Sequence, residues 1–171
     1  MLGIKNKFQS SLYSKIVSLL SNNRIPFWID TISLLSLMGK KNGLSLLDDK
    51  NISISIYGEH YSKLRILVTE LGMNYRSSMI PDYSGRKWIE CEYCQIAVLS
   101  RWKHREKAFK VFLTPKYKVK NQYRWVSKRS CKVIDGKYYD NLDKIQIYGH
   151  SFPVPQNTEE YLRIRFGEDW K

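Results

Sequence analysis

Asp48 and Asp49 are adjacent carboxylates that stand just before an alternating stretch in which Ile52, Ile54 and Ile56 interleave with Asn51, Ser53 and Ser55. Paired acids at the mouth of a buried strand are hard oxygen ligands, and they suit a divalent cation such as Mg²⁺ or Mn²⁺. The polar face of the same strand is neutral, and Asn and Ser are weak ligands for such a cation. A structural role competes for the two aspartates: a helix-to-strand turn whose carboxylates accept local backbone N–H groups. The other chemistry-bearing residues form weaker patterns. Cys91-x-x-Cys94 with Cys131 and a histidine (His60, His104 or His150) has zinc-type ligands but no second pair at proper spacing. No local signature supports Cys/His nucleophilic catalysis.

Basic residues are concentrated in one segment. Between Arg101 and Lys132 there are twelve Lys/Arg and a single acid, Glu106, so this segment carries +11 of the net +13. Trp102, Phe109, Phe112, Tyr117, Tyr123 and Trp125 are interleaved with the charges. The expected partner is an anion: a nucleotide diphosphate, a phosphorylated glycan or lipid carrier, or an acidic surface. Single-stranded nucleic acid could stack on Trp125 and the tyrosines, but the same alternation suits a strand with one basic face, and nucleic acid is the less favoured partner. A protein partner or a second copy of the chain is also compatible with this composition.

The elements that position these groups follow from periodicity. Residues 5–21 have apolar groups three or four apart, which is an amphipathic helix. Phe27-Trp28-Ile29 reads as a short buried strand. Asp30 or Thr31 can cap a helix to about Met38, with Leu34, Leu35 and Leu37 inward. Strand 52–57 is followed by a helix over 59–71, and strands are expected at 73–79, 87–99, 108–113 and 144–148. Asp135-Gly136 predicts a hairpin between 132–134 and 137–139. Pro153 and Pro155 impose an extended segment, and a last helix runs from Glu159 to Phe166. This order predicts an α+β fold around a mixed sheet, in one domain over 1–171. With 43% hydrophobic and 13% aromatic residues the chain can bury a core. No apolar run approaches the roughly 18 residues of a membrane span. The odd cysteine count and the lack of a signal-peptide pattern lead us to expect a cytoplasmic protein, or one peripheral to the inner membrane surface.

Two stretches resemble the LicD/fukutin family. One is FWIDTISLLS at 27–36 with LLDDKNISISI at 46–56. The other is FPVPQNTEEYLRIRFGEDWK at 152–171, where Pro153, Pro155, Asn157, Glu160, Tyr161, Leu162, Gly167 and Trp170 fit the family's closing motif. The resemblance implies a nucleotidyltransferase-like fold. It also implies transfer of a phospho-group, such as phosphocholine or a sugar phosphate, onto a cell-surface glycan, with Mg²⁺ or Mn²⁺ held by carboxylates.

The chain departs from that pattern where the chemistry would sit. Ile32, Ser33 and Ser36 replace Gly, Thr and Gly; Asn51 and Ser53 replace the paired acids; Lys110 stands in the place expected for a third acid. If the chain is active, the resemblance leaves Asp48 and Asp49 as catalytic metal ligands, with Asp30, Ser33, Asn51, Ser53 and Lys110 lining the substrate site. The alternative expectation is a catalytically weakened or inactive relative that serves as a binding or partner subunit.

Overall fold

The computed structural model describes residues 15–39, 51–70, 74–80, 91–98, 109–127, 130–147 and 150–170. The first helix, α1, covers 15–22. It is followed by β1 (Phe27–Ile29), α2 (Thr31–Met38), β2 (Asn51–Tyr57), a 3-10 turn at Gly58–His60 and α3 (Tyr61–Glu70). Five strands come next: β3 (Asn74–Ile80), β4 (Cys91–Val98), β5 (Phe109–Val119), β6 (Gln122–Ser127) and β7 (Ser130–Asp135). A 3-10 turn at Gly136–Tyr138 leads to β8 (Leu142–Ile147), β9 (His150–Pro155) and α4 (Thr158–Phe166).

The main sheet runs β1-β2-β5-β4-β3, and the far end of β5 pairs with β6, which pairs with β7. β2 and β5 are parallel, with Asn51 opposite Lys110 and Tyr57 opposite Lys116, while the other pairings are antiparallel. A separate hairpin, β8-β9, lies against β1. The fold is therefore α+β around a mixed sheet.

Alternation on β2 separates two cores. Ile52, Ile54 and Ile56 pack with Ile16, Leu20, Tyr61, Leu64, Val111 and Leu113. The second core holds Trp28, Ile29, Leu34, Leu37, Tyr123, Trp125, Ile134, Tyr138, Tyr139, Val154, Tyr161 and Leu162. Ser53 and Ser55 alternate with the isoleucines.

Two expectations are corrected. The strand expected at 108–113 is the first half of a longer one, because β5 continues through the basic stretch to Val119. The hairpin expected at Asp135-Gly136 does not form. Asp135 Oδ1 accepts from Lys137 N–H at 2.9 Å, Gly136 N–H donates to the Asn121 carbonyl at 2.7 Å, and the chain makes a 3-10 turn. A Cβ on Gly136 would stand 2.9 Å from that carbonyl oxygen, so glycine permits the close approach. The turn sends Tyr138 and Tyr139 into the core rather than along a strand edge. Among the described residues no helix is long and apolar enough to cross a membrane.

Candidate functional site

Asp30 is the residue on which the site converges. It follows the buried Trp28 and Ile29 at the end of β1 and is itself fully buried. Its N–H donates to the Ser53 carbonyl at 3.4 Å, which carries the β1–β2 ladder one step further. Ser33 Oγ, in the first turn of α2, accepts from Ser53 N–H at 2.7 Å. The start of α2 is thus clamped to β2. Asp30 Oδ1 accepts from Thr31 N–H at 2.7 Å and acts as the helix N-cap. Thr31 has φ +52°, in the left-handed region where a β-branched residue is strained by about 1–2 kcal/mol. The backbone that favours glycine is therefore at Thr31, one residue before the position the sequence motif suggested, Ile32, which is exposed.

A carboxylate removed from water needs hydrogen bonds and a counter-charge. Four elements supply them. Ser55 Oγ on β2 donates to Oδ2 at 2.7 Å. The Tyr161 hydroxyl on α4 donates to Oδ1. The Tyr139 hydroxyl lies 3.3 Å from Oδ2 and 3.0 Å from the Tyr161 hydroxyl, and its one proton serves either acceptor. Lys116 Nζ on β5 lies 3.0 Å from Oδ2, also fully buried. Burial pushes the Asp30 carboxyl up, but the Lys116 charge and the bonds from Tyr161 and Ser55 outweigh it and hold the pKa below the usual carboxylate value.

Lys116 is held by charge and ring faces rather than by directed bonds. Its ammonium is 3.5 Å from the Trp125 ring centre and 5.7 Å from that of Tyr139. Its approach to Asp30 is a close Coulombic contact without hydrogen-bond geometry. Burial lowers its pKa to about 8; the Asp30 charge opposes that fall and nearby Arg165 adds to it. Burial and the Asp30 charge raise the Tyr139 and Tyr161 phenols well above their ordinary value.

Of the residues singled out in the sequence, Asp30, Ser33 and Ser53 come together here. Asn51 begins β2 with Lys110 opposite it on β5, so they stand at the same end of the parallel pair. Asp48 and Asp49 lie outside the described residues. Lys116 and Trp125, read in the sequence as part of a basic, aromatic stretch, and Tyr161, read as part of the tail motif, were not expected as neighbours of Asp30, and Tyr139 was not singled out. A faint signal existed for the lysine: an aspartate directly after three apolar strand residues will be buried, and it must find a cation elsewhere in the chain.

The resemblance places the divalent cation on Asp48 and Asp49, outside the described residues, and Asp30 does not offer it a further ligand. Both carboxylate oxygens are engaged, and a protein ammonium stands where a cation would bind. Among the described residues no three His, Cys, Asp or Glu side chains gather in a way that could hold a metal ion.

The mixed sheet with its flanking helices is a nucleotidyltransferase-like fold. The crystal structure of the lincosamide antibiotic adenylyltransferase LnuA, bound to lincomycin, matches 93% of this chain and 85% of that chain with a TM-score of 0.52 and 12% identity. The solution structure of the antibiotic-resistance factor ANT(2'')-Ia matches 88% of this chain and 65% of that one, with a TM-score of 0.45 and 15% identity. No protein-family model and no curated protein sequence matches.

These findings correct the resemblance to the LicD/fukutin family: no family model supports the assignment, and the fold matches an adenylyltransferase over 93% of this chain. The tail motif that suggested it has packing roles in this fold. Pro153 and Pro155 lie in β9, the Glu160 carboxylate accepts from Tyr138, and Tyr161 reaches Asp30. Such demands can fix residue types without fixing a family.

Proposed function

We propose that this chain uses its nucleotidyltransferase-like fold to bind a nucleotide or another phosphate-bearing ligand, as a binding or partner subunit in which metal-assisted transfer is weakened or lost. The observation that carries this reading is the neutral sequence of β2, with Asn51 and Ser53 where paired acids would stand, beside an Asp30 carboxylate committed to Lys116, Ser55 and Tyr161. A nucleotide is the ligand class suggested by an adenylyltransferase of similar fold, and a net charge of +13 suits an anion. Ser33 and Ser53 meet at the junction of α2 and β2, and Asn51 is the first residue of that strand. In this reading they hydrogen-bond the ligand directly, where a transferase would hold it through a cation.

Calorimetric titration with ATP, CTP and their diphosphates, in EDTA and in Mg²⁺, tests this. The expected result is binding that survives EDTA, with no release of pyrophosphate or phosphate. Turnover that disappears on Asp48→Ala or Asp49→Ala would overturn the loss of catalysis and return those aspartates to the role of metal ligands. An absence of binding at millimolar nucleotide would remove the nucleotide reading.

A further inference from the structure

β2, β5, β4 and β3 lie side by side, so their paired residues form rows across the sheet. One row runs from Asn51 through Lys110 to Ala97. A second, two residues further along β2, runs from Ser53 across β5 to Gln95 and Arg76. The row between them starts with Ile52 and Val111, which belong to the first core. Successive residues of a strand take opposite faces, so the Asn51 and Ser53 rows share the other face.

That face changes character along the strands. At one end Ser55 and Lys116 are fully buried, whereas Ser53 is only half-buried. Lysine and arginine are enclosed by protein only when an acid answers them, as Asp30 answers Lys116. The Asn51 and Ser53 rows contain two cations, Lys110 and Arg76, and no acid. The two stand two strand spacings apart, roughly 10 Å, on either side of β4. Between them Ala97 carries only a methyl group, which leaves room over β4.

We propose that this end of the sheet face holds the phosphate chain of the ligand directly, with Lys110 on β5 and Arg76 on β3 supplying the charge from the two sides of β4. Cations this far apart suit a diphosphate better than a single phosphate. Arginine can grip two oxygens at once and lysine acts as a point charge. Lys110 then brings to the phosphates the positive charge that a metal ion would otherwise bring, which is why binding should survive EDTA. The inference assigns the phosphate-holding residues of the ligand proposed above, and it rests on that reading for the remainder of the ligand.

Pyrophosphate is the probe, titrated calorimetrically into the full chain in EDTA. The expected result is saturable binding that Lys110→Gln weakens about tenfold or more, as loss of one charge-assisted contact implies. Arg76→Gln should weaken it severalfold. Lys110→Arg keeps the charge and should retain most of the affinity, and Lys144→Gln, an exposed change on β8, should leave it unchanged. An absence of pyrophosphate binding at millimolar concentration, or an affinity in Lys110→Gln equal to wild type, overturns the site. Should Lys110→Gln fail to fold, Arg76→Gln decides alone, and wild-type affinity there overturns the site. Repeating the titrations with ADP and CDP separates the site from the reading on which it rests. Pyrophosphate binding abolished in Lys110→Gln, with no nucleotide binding in wild type, supports the site and removes the nucleotide reading. Nucleotide binding in EDTA that is unchanged in both Lys110→Gln and Arg76→Gln overturns the site and leaves that reading standing.

Discussion

Asp30 Oδ2 and Lys116 Nζ stand 3.0 Å apart, and both residues are fully out of water. They join the end of β1 to the middle of β5, so the pair holds the α2 N-terminus against the sheet. A buried pair of this kind adds little net stability over apolar residues of like volume, but removing one partner strands the other charge in the core.

Asp30→Asn should therefore cost about 3–4 kcal/mol in urea denaturation, and Lys116→Met a similar amount. The double variant should cost clearly less than the sum of the two, because neither charge is then left alone. Strictly additive costs would mean that the two residues act independently.

The same pair sets the pH dependence. Lys116 titrates at about 8 in the fold and near 10.5 unfolded. Between those values the unfolded chain holds more protons, so stability rises with pH, by about 2 kcal/mol by about pH 9.5. Above about pH 10 the trend reverses, since Tyr139 and Tyr161 keep in the fold the protons they release when unfolded. At the acid end, the lowered Asp30 pKa gives stability that is present above 3.8 and lost as pH falls further. Denaturation midpoints measured from pH 3 to 11 check all three limbs, and the rise above pH 8 should vanish in Lys116→Met.

Thr31 and Ile32 can be told apart by glycine substitution. Thr31 sits at φ +52°, so Thr31→Gly should leave stability unchanged or raise it by about 1 kcal/mol as strain is relieved. Ile32 is exposed inside α2 with ordinary helical geometry, so Ile32→Gly should lower stability by somewhat under 1 kcal/mol. A loss of stability in Thr31→Gly would show that the side chain contributes more than its backbone strain removes.

The sequence made some of this legible. Strict alternation at Ile52, Ile54 and Ile56 located β2 and its buried face, because a period of two has one reading when one side is apolar. Asp30 was readable as a cap from its position before α2. Lys116 was not readable: in Lys116-Tyr117-Lys118-Val119-Lys120 nothing local distinguishes one lysine from the next. Only the pairing of β5 with β2, and the return of Trp125 along β6, take this one out of water. The turn at Gly136 carried a hairpin dipeptide, but the tertiary demand to bury Tyr138 and Tyr139 decided its shape.

Gly58 tests how tightly β5 is seated beside that lysine. It follows the end of β2, and its backbone is outside the left-handed region, so alanine is conformationally allowed there. The obstacle is steric. A Cβ on Gly58 would stand 2.4 Å from Tyr117 Cδ1 and 2.8 Å from Tyr117 Cγ. Cγ is close to the main chain, so the ring cannot swing clear without moving β5, and Lys116 would move with it. Gly58→Ala should cost about 2 kcal/mol by overpacking. Tyr117→Ala added to it should recover part of that cost, which it would not do if the glycine served backbone freedom alone. Because the strand shift is felt at the next residue, Gly58→Ala should also move the alkaline rise attributed to Lys116, and Tyr117→Ala in the same chain should move it back.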